Sequence, residues 1–93
     1  MGDSDNQVGT PVLEAIQSLL KQGRYVEAAA LCERACSEPG ADARVWQILG
    51  AIHGQDNDVV RAESCTRHAL AMNPGLVSAY RNLAILLQRQ GQA

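Results

Sequence analysis

The chain has 93 residues and a formal net charge of −2, with 46% apolar residues, 3% aromatics and no phenylalanine. That length holds one small domain with a thin core, and an apolar share drawn mostly from Ala, Leu, Val and Ile favours helices. No basic cluster or stripe of stacking aromatics points to nucleic acid, and Ser78, Arg81 and Asn82 interrupt the apolar run over 77–87, which excludes a membrane span there.

The opening stretch, Met1 to Gln7, has neither the basic and apolar regions of a secretory signal nor a myristoylation pattern, because Asn6 stands where Ser or Thr is needed. Residues 1–9 are expected to form a flexible polar tail. Thr10 is expected to cap a first helix running to about Gln22, with Pro11 in its first turn and Gly23 ending it. A second helix covers about Tyr25 to Ser37, stopped by Pro39-Gly40. Asp42 caps a third over about Ala43 to Gln55. Asp56-Asn57-Asp58 makes a polar turn, and Asp58 caps a fourth helix to about Met72. After Asn73-Pro74-Gly75, where proline lacks a donor and biases Asn73 away from helix, a fifth covers about Leu76 to Gln90.

The most informative stretch is 43–76. On its first helix Trp46, Leu49, Gly50 and His53 fall on one face, and on its second Ala62, Thr66 and Ala69 do the same. Gly50 and Ala62 remove bulk where two antiparallel helices would cross, with Trp46 and Leu49 filling the space beside them. The pattern recurs 34 residues later as Tyr80, Leu83, Ala84 and Leu87, and 34 residues earlier as Val12, Ala15, Ile16 and Leu19, followed by Ala28 and Ala35. Pro39 stands one place earlier than the same offset from Pro74 requires.

This order, Trp46-x2-Leu49-Gly50-x2-His53, then Ala62-x3-Thr66, Ala69 and Pro74, resembles the tetratricopeptide repeat (TPR) family across residues 9–93. The resemblance implies an all-α solenoid of antiparallel helix hairpins, with repeats over about 9–42 and 43–76 and an incomplete one over 77–93. It also implies a scaffold for protein binding, since in this family the first helices of successive repeats line a concave peptide groove. The stripe opposite the packing face gives Leu13, Gln17, Leu20 and Lys21 on the first helix; Arg44, Gln47, Ala51 and Gln55 on the third; and Ser78, Arg81, Ile85, Gln88 and Arg89 on the fifth. The ionisable members are all basic, so the expected ligand is a peptide bearing carboxylates or a free C-terminus. The family's carboxylate clamp is absent: its places hold Leu13, Gln17, Ile48, Ser78 and Asn82.

Ala79, Leu83, Leu86 and Leu87 are expected to lack a helix on one side. The segment therefore reads as the N-terminal piece of a longer protein or as a module completed by self-association through the fifth helix. Charge is unevenly spread. Residues 1–63 carry all ten acidic groups against five basic ones, and residues 64–93 carry Arg67, Arg81 and Arg89 with no acid. Cys32, Cys36 and Cys65 read as small buried hydrophobes. A zinc site with His68 would need a spacing that is absent, so neither metal nor cofactor is expected. An odd cysteine count without a leader suits a reducing, cytoplasmic setting. His53 takes a packing position, and no nucleophile–base pair or phosphate loop appears, so no enzyme activity is expected. The alternative function is substrate docking for a larger glycosyltransferase, methyltransferase or sulfotransferase.

Overall fold

The computed structural model describes residues 10–91 and contains five helices with no strand among them: α1 (Thr10–Lys21), α2 (Tyr25–Cys36), α3 (Ala43–Gln55), α4 (Val59–Met72) and α5 (Val77–Gly91). The tail expected over 1–9 and the last two residues lie outside the described residues. None of the described helices is long and apolar enough to cross a membrane.

Local chemistry sets most of the boundaries. Gly23 turns the chain after α1 and Gly40 turns it in the α2–α3 connection, with φ of 75° and 77°, a left-handed backbone that costs glycine little. Asn57 takes the same region after α3 (φ 63°), which asparagine tolerates better than most residues. The Asp42 carboxylate accepts from the Arg44 backbone N–H at 2.8 Å, and Asp58 accepts from that of Arg61 at 3.3 Å, so both expected caps are in place. Thr10 differs from expectation: it is itself the first helical residue, not the residue before it.

Each helix packs on the next in sequence, and α3 also meets α5. The α3–α4 pair is the most closely joined. A Cβ on Gly50 would stand 2.7 Å from Thr66 Oγ1 and 3.1 Å from the Ala62 carbonyl oxygen, so only glycine allows this approach. Thr66 is fully buried, and its hydroxyl donates to that same carbonyl at 2.8 Å, which satisfies the one polar group at the crossing.

The core differs from the single stripe expected on α3. Leu49 and Gly50 are buried, but so are Val45 and Ile52, which join Leu13, Ile16, Ala28 and Cys32 in one cluster. Trp46 is half-buried: it packs against that cluster and also stacks on His68, with ring centroids 3.9 Å apart. The reason is that α3 lies between α2 and α4 and must bury two faces. On α5, where a helix was expected to be missing on one side of Ala79, Leu83, Leu86 and Leu87, Ala79 and Leu86 are covered while Leu87 is 45% exposed. Leu86 reaches the space over Gly54, where a Cβ would meet its Cδ2 at 3.6 Å.

These two glycines should respond differently to the same change. Gly50→Ala is expected to lose about 1–3 kcal/mol by overpacking, partly offset by about 1 kcal/mol of helix propensity. Gly54→Ala meets only ordinary contacts and should be neutral or gain up to about 1 kcal/mol. Ala62→Leu, at a fully buried position, should cost about 1–3 kcal/mol. Urea unfolding of the three variants checks this; equal midpoints for the two glycine variants would contradict the crossing.

Candidate functional site

Two hollows lie on either side of α3 and share Ala51 and Gln55. The first, about 210 Å³, sits between α3 and α5 over Asn82, Ile85, Leu86 and Arg89. The second, about 350 Å³, lies between α3 and the α1–α2 corner, where Leu20, Tyr25, Gln47 and Ile48 meet. Together they make a shallow trough across the middle of the molecule. Such volumes are at or below the small end for drug-sized ligands and suit individual side chains of a peptide.

Of the residues expected along the groove, Gln47, Ala51, Gln55, Ile85 and Arg89, together with Leu20, line this trough. Leu13 does not: it is 6% exposed and belongs to the core, because α1 turns that face toward α2 and α3. Gln17, Lys21, Ser78, Arg81 and Gln88 are exposed but line neither hollow. Arg44 also lies outside, and its guanidinium is held by Asp42, with Nε 3.1 Å from Oδ1 and Nη2 2.7 Å from Oδ2. That pairing draws the Asp42 carboxyl below its usual range and removes Arg44 as a free cation.

The electrostatics of the trough come down to Arg89. Among the described residues it is the one charged side chain lining either hollow, and none of those lining residues is a carboxylate. Its Nη1 donates to the Gly54 carbonyl oxygen at 2.9 Å, close to the negative end of α3, which favours a cation there. A guanidinium has five N–H donors, so this bond fixes the side chain and leaves donors for a ligand. Beside it, Asn82 Nδ2 is buried with no hydrogen-bond acceptor among the described residues. An amide left in that condition carries about 1–3 kcal/mol of unrecovered desolvation. Sequence reasoning placed Asn82 among the clamp positions but not in the groove, and it missed Tyr25, which reaches the trough only because the turn at Gly23 folds α2 back on α1.

A third hollow, about 360 Å³, lies at the α2–α3 turn over Val12, Ala35 and Val45, with Glu38 and Asp42 at its edge. It shares no residue with the trough.

The titratable core groups are thiols. Burial is the main cause in each case: it pushes Cys32 up to about 12 and Cys36 up to about 11, and it raises Cys65 as well. Nucleophilic or metal-binding cysteine needs the thiolate, and these groups are protonated at neutral pH. Among the described residues, no group of three or more His, Cys, Asp or Glu side chains is placed to hold a metal ion. His68 is engaged with the Trp46 ring.

Comparison with protein-family models, with curated proteins and with solved structures finds no match to this chain.

The raised thiol pKa values have a directional consequence for stability. A thiol titrating higher in the folded state than its ordinary 9.0 adds stability that is fully present below about pH 9 and is lost as pH rises through the folded value, here about 11 to 12. Urea midpoints should therefore drop between pH 8.5 and pH 11.5, and Cys32→Ala should flatten part of that drop. An unchanged slope in the variant would show that Cys32 is not the linked group.

Proposed function

We propose that this chain is a non-catalytic helical-repeat module, similar to the tetratricopeptide repeat family, that binds an extended peptide across the face formed by α1, α3 and α5. The observation that carries this reading is the trough: Arg89 and the Asn82 amide, unpaired among the described residues, lie together there with no described carboxylate in the lining. An anionic or carbonyl-rich ligand would meet both groups at once. The 34-residue recurrence and the sequential packing of the helices support the repeat reading. On this reading the module holds a partner and performs no reaction of its own.

The preferred ligand carries a carboxylate toward Arg89 and apolar side chains toward Ala51 and Ile85. The cationic surface is narrower than the full stripe expected from the sequence, since Arg44 lies outside the trough and is paired with Asp42. Specificity then rests on one arginine and the amide groups of Gln47, Gln55 and Asn82.

Fluorescence anisotropy tests this with a labelled peptide bearing aspartates and a free C-terminus, against the same peptide amidated and with each Asp replaced by Asn. The acidic form should bind about tenfold more tightly, the order of one charge-assisted hydrogen bond. Arg89→Gln should erase the difference. Equal affinities for both peptides on the unaltered chain would remove the proposal.

A further inference from the structure

The repeat register exposes a second surface, on a different side of α5 from the trough. Ala43, Trp46, Gly50 and His53 of α3 are matched 34 residues later by Val77, Tyr80, Ala84 and Leu87 of α5. On α3 that seam is closed: Ala43 and Gly50 are buried, and Trp46 and His53 are half-buried. On α5 the same positions are bare, with Val77 69%, Tyr80 51% and Leu87 45% exposed, and Ala84 exposed as well. Spaced at i, i+3, i+7 and i+10, these four make one apolar stripe along the helix.

The flanks of the stripe differ. On one side Gln90 Nε2 donates to Glu63 Oε1 at 2.8 Å and ties that edge to α4. On the other, Arg81 and Gln88 stand exposed, and Arg81 forms no ion pair among the described residues. Helix α5 carries Arg81 and Arg89 and no acidic residue. Pairing α5 with its counterpart in a second copy would thus bring arginine toward arginine with no carboxylate on either helix to offset it.

We propose that this seam docks an amphipathic helix of a partner protein whose polar flanks are acidic. The incoming helix lays an apolar stripe along Val77, Tyr80, Ala84 and Leu87, places a small residue opposite Ala84, and turns carboxylates toward Arg81. Ala84 fills the place that Gly50 fills in the α3–α4 crossing, so a close approach is possible there, though not as close as glycine allows.

A suitable probe is the chain's own residues 57–72 as a peptide, because that segment covers the matching face of α3. It is made in an acidic form (Arg61→Glu, Arg67→Glu) and a basic form (Glu63→Lys), both with Cys65→Ala, and titrated into the full isotope-labelled chain by NMR. The acidic form should shift the amides of Tyr80, Ala84 and Leu87 and bind at least tenfold more tightly than the basic form. Tyr80→Glu, at an exposed site checked for folding by circular dichroism, should abolish the shifts, and Arg81→Glu should reverse the preference. Arg89→Gln should leave both unchanged, which separates this surface from the trough. The proposal fails if neither peptide binds, if both bind equally, or if the shifts centre on Ala51 and Ile85. It also fails if sedimentation shows a concentration-dependent dimer that Tyr80→Glu dissolves, since the seam would then belong to a second copy.

Discussion

The approach of α3 to α4 at Gly50 is the contact on which the rest of the structure depends. With Thr66 Oγ1 and the Ala62 carbonyl oxygen both within reach of the missing Cβ, the two backbones come closer than side chains would permit. The buried hydroxyl of Thr66 is satisfied within its own helix, so the closeness leaves no polar group orphaned. This fixes α3 at the centre of the molecule. It packs on α2 and α4 and also touches α5, and its remaining exposed strip becomes the floor shared by the two hollows.

The central position of α3 explains what the trough contains. A helix buried on two sides has few positions left for solvent; of these, Gln47, Ala51 and Gln55 line the trough and are uncharged, while the exposed Arg44 lies outside it, paired with Asp42. Charge enters from α5 through Arg89, held by the C-terminal end of α3. The proposed peptide-binding face is therefore mostly neutral, with one anchored cation, and differs from the broadly basic stripe that sequence periodicity suggests.

Much of this fold was legible in the sequence because it is written in local chemistry. Asp42, Asp58, Gly23 and Gly40 mark helix ends by capping or by left-handed backbone, and the observed boundaries fall within a residue or so of those expected. The small residues at the crossing were legible too, since Gly50 is matched by Ala84 and Ala62 by Ala28 at the same 34-residue offset, although Ile16 stands at the earlier counterpart of Gly50. Periodicity could not show that α3 buries two faces, because Val45 and Ile52 look like ordinary apolar neighbours until α2 is placed against them. Leu13 was assigned to the groove for the same reason: a helical wheel gives a face but not its partner. The pairing of Arg44 with its own capping aspartate depends on a rotamer, and so does the orphaned amide of Asn82.

The last helix is held differently from the others. Ala79 and Leu86 are its only fully covered apolar side chains, and two polar ties reinforce them: Arg89 to the Gly54 carbonyl and Gln90 to Glu63, both near its C-terminal end. Low pH acts on the second tie alone: protonating Glu63 weakens its acceptance from Gln90, whereas the Arg89 guanidinium and its carbonyl acceptor do not titrate there. One of the two polar ties on α5 is therefore open to acid, whereas the contact among Gly50, Ala62 and Thr66 is not.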